Sequence, residues 1–109
     1  MGSADEQTYT YVRDLAALAQ APADSIVSRT IHKDAQVKTV LFAFAPGQEL
    51  SEHTASTAAI IHVLKGNARL TLGGDVLEAS AGTWVRMPPN LPHSLLAETP
   101  VLMLLLLLQ

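Results

Sequence analysis

Short apolar stretches separated by turn residues recur along the whole chain, and most of them alternate or are rich in β-branched and aromatic residues, as strands are. These stretches are residues 9–12, 25–32, 37–44, 58–65, 68–72, 75–79, 83–87, 93–98 and 101–108. Helical periodicity is confined to the run "LAALAQ", where Asp14 is a suitable N-cap and Pro22 ends the helix after a turn or two. We therefore predict an all-β fold of about nine short strands, either a sandwich or a barrel.

The residues between these stretches have the chemistry of tight connections. Gly73-Gly74 separates two strands by a pair of residues that adopt positive φ angles easily, which predicts a two-residue hairpin. Residues 33–36 form a link of hairpin length, and Pro88-Pro89 must end the preceding strand because proline cannot donate to a ladder. The sequence has no linker between these strands and turns that would mark a domain boundary, so one undivided domain is expected.

The C-terminal run "VLMLLLLLQ" is the most apolar part of the chain. It is far shorter than the roughly 20 apolar residues that a membrane-spanning helix needs, and no membrane association is expected. Loss of polar alternation is typical of a strand buried on both faces. The whole chain is 49% hydrophobic and only 16% charged. The core of a monomer this small cannot easily bury that many apolar residues, which favours a homodimer joined through the outer strands.

Length, charge and cysteine content exclude several classes of protein. With 109 residues the chain fits one domain, for which we predict a flexible tail at residues 1–8 and a barrel at residues 9–109. The net charge is -3 and the seven Lys and Arg are scattered, so nucleic acid is not an expected partner. There are no cysteines, which excludes disulfides and thiolate chemistry and is compatible with a cytoplasmic location.

Two stretches place a histidine at the end of an apolar strand, beside Gly or Pro residues where the chain must bend. Residues 46–66 read "PGQELSEHTASTAAIIHVLKG" and residues 82–93 read "GTWVRMPPNLPH". If the strands that carry them lie side by side, His53 and His93 meet at one point. Histidine is the usual side chain for holding a metal or moving a proton near neutral pH, so this pair predicts a site at the barrel mouth.

The spacing within these two stretches resembles that of the cupins, specifically the small single-domain kind with an RmlC-like jelly-roll barrel. The first cupin motif has five residues between its Gly and its His and closes on a later Gly, a spacing that Gly47, His53 and Gly66 match here. The second motif is matched by Gly82, Pro88 and His93, which are three of its fixed positions. The resemblance covers about half of the chain and implies a barrel of short antiparallel strands.

Four positions depart from the cupin pattern, and they bear on function. The second histidine and the glutamate of the first motif are Ala55 and Ala59, while a glycine and an asparagine of the second motif are Asn90 and Ala97. Asn90 is a mild change, because asparagine tolerates a left-handed backbone. The two alanines remove two of the four side chains that hold the metal in cupin enzymes. The resemblance thus carries over only His53 and His93 as ligands.

Other residues are candidates for completing the site. His62 could be a third ligand, although strand alternation sets it on the face opposite Ala59 and Ile61 unless a bulge intervenes. Trp84 and Arg86 share one face of their strand, which either points into the pocket or outward to a subunit interface. The predicted pocket is lined by Ala55, Ala59, Ile61, Trp84, Arg86 and Asn90.

Two functions are compatible with these residues. The first is a cupin-type binding barrel that takes a small-molecule ligand around His53 and His93, with a divalent transition metal (Zn, Fe, Mn or Ni) held weakly or not at all. The second is a metal-dependent cupin enzyme of dioxygenase, isomerase or lyase type acting on a small organic acid or sugar derivative. The loss of two ligand positions favours the first, and catalysis stays open.

Overall fold

The computed structural model describes residues 8–109, which form nine β-strands in two antiparallel sheets. The strands are β1 (Ile26–Lys33), β2 (Val37–Phe44), β3 (Glu49–His53), β4 (Ala59–Lys65), β5 (Ala68–Leu72), β6 (Asp75–Ala79), β7 (Trp84–Met87), β8 (His93–Ala97) and β9 (Val101–Leu108). One sheet has the order β1-β2-β9-β4-β7 and the other the order β3-β8-β5-β6. The all-β prediction is confirmed. The tail predicted at residues 1–8 falls almost wholly outside the described residues.

The main core lies between the two sheets and is built from the alternate residues that face inward. Its largest fully buried side chains include Phe44, Val63, Leu70, Met87, Leu95 and Met103. Phe42 and Phe44 stack with their ring centroids 6.0 Å apart. The gap between the sheets is therefore filled by side chains, as in other small barrels.

The apolar C-terminal strand lies at the centre of the larger sheet, as its composition predicts. β9 pairs with β2 on one side and with β4 on the other. Met103 faces the core between the sheets, whereas Leu102 faces a second apolar cluster on the outer surface. Among residues 8–109, no helix has the length and hydropathy that a membrane crossing requires.

One predicted strand is absent and one observed strand was not predicted, so the number of strands is unchanged. Residues 9–12 form no strand, and Tyr9 and Tyr11 are 89% and 73% exposed. Residues 49–53, which are not among the predicted strands, form strand β3. The first error arises because alternation alone cannot supply a ladder partner, and the second because an exposed edge strand needs no apolar residues.

The N-terminal segment, residues 8–25, lies on the outer face of the larger sheet. Its short 3-10 turn, Leu15–Ala17, begins at Asp14, whose side chain accepts a hydrogen bond from the Ala16 amide at 3.1 Å. This confirms the predicted capped turn. Leu18, Ala19 and Ala21 pack against buried Leu41, Ala43 and Leu102 in the second apolar cluster. The segment is thus held mainly by side-chain packing rather than by a strand ladder.

A chain of hydrogen bonds links this segment to the β1–β2 hairpin. The Thr10 hydroxyl lies 2.7 Å from His32 Nδ1, and His32 Nε2 lies 2.7 Å from the Asp34 carboxylate. The bond to His32, followed by those from the Gln36 and Val37 amides, lowers the pKa of Asp34 from 3.8 to about 2. Because this pKa is lower in the folded state, the interaction stabilises the fold above about pH 4 and is lost as the pH falls toward 2.

Candidate functional site

His53 and His93 are direct partners across the β3–β8 ladder. Their ring centroids are 4.1 Å apart and the ring planes are inclined at 59°. Along β8, His93 lies on the same face as the core residues Leu95 and Ala97, which is the inner face of the smaller sheet. His53 is its direct partner in the ladder, so its imidazole lies on that face too. His93 is only 6% exposed, whereas His53 is exposed at the rim. The pair therefore has one buried ring and one ring open to solvent.

Each imidazole is oriented by a carbonyl group two residues earlier in the chain. His53 Nδ1 lies 2.7 Å from the Ser51 carbonyl oxygen, and His93 Nδ1 lies 2.8 Å from that of Leu91. A carbonyl oxygen can only accept, so both Nδ1 atoms must donate. In the neutral rings the lone pair is then on Nε2. Metal-binding histidines commonly have this arrangement, in which a second interaction fixes the tautomer.

Backbone contacts hold the loop between β7 and β8 that presents His93. The Asn90 amide donates to the Ala55 carbonyl at 2.7 Å, and the Gly73 amide donates to the Pro92 carbonyl at 2.8 Å. Asn90 has a φ of 67°, the left-handed conformation that the sequence predicts for this position. The loop is thus tied on one side to the chain beyond His53 and on the other to the β5–β6 turn.

The inner face below the histidine pair is closely packed. Ala59 and Ile61 are 1% and 2% exposed and belong to the main core, where Ala59 is paired with Met87. The structure places Ala55 nearer the rim, half-buried. Substituting alanine for the larger cupin residues has therefore not left a deep pocket at Ala59, because neighbouring core side chains occupy the space. A ligand at the pair would lie at the rim, on the exposed side of His53.

His62, Trp84 and Arg86 lie elsewhere. His62 is paired with Trp84 and faces the outer surface of the larger sheet, opposite the buried Ile61 and Val63. Trp84 is 59% exposed and Arg86 is exposed on the same face. Of the two orientations left open for Trp84 and Arg86, the structure has the outward one, so neither lines the histidine site. Whether this face is a subunit interface stays a prediction.

The donor set at the pair is limited to two imidazoles. Within residues 8–109, no group of three or more His, Cys, Asp or Glu side chains is arranged to hold a metal ion. Glu49 and Glu52 are exposed on β3. Enzymatic transition-metal sites usually use three protein ligands. The residues present therefore fit a weakly held metal with two protein ligands, and the remaining positions would be filled by water or by a chelating ligand.

Comparison of the sequence with known families supports the resemblance in the histidine motifs. Residues 40–107, which include both histidines and more than half of the chain, match the family described as "Cupin domain". The chain belongs to the cupin family. A search among curated proteins found no match to this cupin.

Solved structures similar to this cupin agree with the assignment. A cupin superfamily protein from Desulfitobacterium hafniense is 23% identical over 86% of each chain, with a TM-score of 0.82. A conserved protein of unknown function from Streptococcus pyogenes is 26% identical, covering 94% of this chain and 90% of its own, also with a TM-score of 0.82. A cupin 2 conserved barrel domain protein from Leptotrichia buccalis is 28% identical, covering 87% of this chain and 46% of its own, with a TM-score of 0.80.

Two features of the site have no signal in the sequence. The carbonyl groups of Ser51 and Leu91, which orient the rings, belong to the backbone and could be supplied by any residue. The irregular pairing between Leu50 and His53, within which Ser51 lies, depends on how β3 meets β8. The spacing of the two motifs could show that the histidines meet, but not which nitrogen each ring presents.

Proposed function

We propose that this cupin binds a small molecule at the rim of its barrel, against the exposed side of the His53 and His93 pair, and holds a divalent transition metal there only weakly. One observation carries the proposal: the rings are 4.1 Å apart, and each Nδ1 is engaged by a backbone carbonyl. Both Nε2 atoms are then available as acceptors or ligands in their neutral forms. A ligand with two donor groups, such as a diol or a protonated acid, would satisfy them together.

A binding role is favoured over catalysis by the groups that surround the pair. Ala55 and Ala59 stand where the cupin motif has a histidine and a glutamate, so position 59 supplies no carboxylate to the site. A bound metal would act as a Lewis acid that polarises an oxygen atom of the ligand. The two imidazoles would hold and orient that ligand, and the buried His93 would keep one side of it away from water.

Zinc titration tests the proposal. We expect the protein, purified without a histidine tag, to bind about one Zn²⁺ per chain, and weakly, because two protein ligands are fewer than zinc sites normally have. His53→Ala and His93→Ala should each reduce the affinity at least about tenfold, since each removes half of the protein ligands. Isothermal titration calorimetry with metal-free protein at neutral pH measures both the stoichiometry and the affinity.

His62→Ala is the matched control, because it removes one imidazole from the outer face and leaves the pair intact. It should bind zinc as the unmodified protein does. A zinc affinity that falls with His62→Ala but survives either rim substitution would place the metal on the outer face and refute the proposed site.

A further inference from the structure

A cavity of about 360 Å³ lies between the N-terminal segment and the larger sheet, on the opposite side of that sheet from the histidine pair. Its floor includes Phe44 and Val101, which are 1% and 3% exposed. Six of its lining residues are alanines: Ala16, Ala19, Ala21, Ala23, Ala43 and Ala45. This cavity is partly open to solvent, since Ala16, Ala23 and Lys65 in its lining are exposed, and its volume is within the range of small-molecule sites.

A second cavity lies next to the first one, beside the 3-10 turn. The second cavity has a volume of about 350 Å³ and is lined by residues that include Val12, Arg13 and Leu64. The two cavities share Ala16, Lys65 and Leu102. The two cavities are therefore adjacent and have mainly aliphatic walls, and Lys65 stands at the junction between them.

A β-bulge places Lys65 beside this space. Up to Val63 the alternation of β4 is regular, and Val63, which pairs with Met103, faces the main core. Regular alternation would turn residue 65 to the same inner face. The register instead shifts between Val63 and Lys65, so that Lys65 pairs with Leu102, a residue of the outer face. Bulges commonly redirect a side chain in this way next to functional sites.

The charges near the junction favour an anion. Lys65 and Arg13 line the cavities and form none of the ion pairs found within residues 8–109. Lys65 and Arg13 outnumber Asp14, the one acidic residue in the lining, whose side chain accepts the Ala16 amide. An aliphatic body would replace water along the alanine walls, and a carboxylate would pair with the Lys65 ammonium.

We propose that the space between the N-terminal segment and the larger sheet is a second binding site, which takes an aliphatic monocarboxylate with its carboxylate at Lys65. The site shares no residue with the histidine pair, so it does not depend on the function proposed for that pair. Decanoate is the probe, because it combines a single carboxylate with an unbranched apolar chain.

Calorimetric titration of the full chain with decanoate, decanol and acetate tests the assignment. We expect decanoate to bind most tightly and acetate not to bind, because the apolar walls provide most of the affinity. Lys65→Met should reduce the decanoate affinity about tenfold and leave decanol unchanged, since it removes only the charge-assisted contact. Ala19→Leu should weaken both long-chain probes, because its added carbons occupy the space.

Two control variants complete the test. Lys33→Met removes a lysine at the far end of β1, away from the cavity, and should bind decanoate normally. The double variant His53→Ala, His93→Ala should also bind it normally. Failure of decanoate to bind, or equal binding by the unmodified protein and Lys65→Met, would overturn the proposal. So would unchanged decanoate binding by Ala19→Leu with its fold intact by circular dichroism.

Discussion

Gly66→Ala will lower the free energy of unfolding by about 2–5 kcal/mol, more than the same substitution at Gly47 or Gly74. Gly66 lies in the β4–β5 turn with a φ of +92°, where a side chain is strained. An added Cβ would also lie 2.0 Å from the Pro100 carbonyl oxygen. That oxygen belongs to the backbone entering β9, so relief of the clash requires the central strand of the larger sheet to move.

Gly47→Ala and Gly74→Ala separate the effect of backbone strain from the effect of the steric clash with Pro100. Gly47 has a φ of +82° and no atom within 4 Å of the added Cβ, so its substitution tests backbone strain alone, at about 1–2 kcal/mol. Gly74 has neither the strained angle nor a close neighbour, and its alanine variant should lie within about 1 kcal/mol of the original protein. Urea unfolding monitored by circular dichroism gives all three values. Equal stability of Gly66→Ala and Gly74→Ala would show that the turn does not pack on Pro100.

Ala55→His will raise the zinc affinity by about 100-fold or more, the largest change expected in binding. Position 55 follows His53 by two residues, which in extended chain places both side chains on the same side. The Ala55 carbonyl accepts the Asn90 amide, so this position lies close to the loop that presents His93. A third imidazole would complete a ligand set of the kind that binds zinc firmly.

Thr54→His is the matched control for this gain. It adds the same imidazole to an exposed residue one position earlier, where an extended chain directs the side chain to the opposite side. Calorimetric zinc titration should show tight binding for Ala55→His and unchanged binding for Thr54→His. If both substitutions raised the affinity equally, the added imidazoles would be acting without regard to the geometry of the pair.

Much of the fold could be predicted from apolar alternation and turn residues. The predicted strand at residues 37–44 is β2 as observed, and residues 68–72 and 75–79 are β5 and β6, joined through Gly73-Gly74. β2 and β5 bury apolar side chains, whereas β6 has four of its five residues exposed and is marked by the turn glycines that precede it. Local sequence therefore contains the signal for them.

The errors occur where pairing partners rather than side chains decide the structure. β3 reads "ELSEH" and is almost entirely exposed, so only its backbone pairing with β8 makes it a strand. Tyr9 and Tyr11 alternate like strand residues but lie in a segment without a ladder. The bulge that redirects Lys65 has no residue signature either, since its position depends on how β4 meets β9. No local pattern distinguishes such cases.

The site was predictable only in part for a similar reason. Motif spacing was enough to predict that His53 and His93 lie together, because both are at strand ends that the barrel places side by side. The outward orientation of Trp84 and Arg86 depends on which face of β7 meets the core. Met87, which is next to Arg86 and only 1% exposed, shows that the opposite face is the buried one. The tightly packed surroundings of Ala59 likewise depend on distant strands, which the sequence of β4 does not reveal.

The tautomer of each rim histidine is the most direct test of the proposed site. Two-dimensional NMR of ¹⁵N-labelled protein above the pH at which the rings are neutral distinguishes protonated from unprotonated ring nitrogens through their chemical shifts. We expect both His53 and His93 to carry the proton on Nδ1 and the lone pair on Nε2, as their bonds to the Ser51 and Leu91 carbonyls require. A proton on Nε2 of either neutral ring would contradict the account.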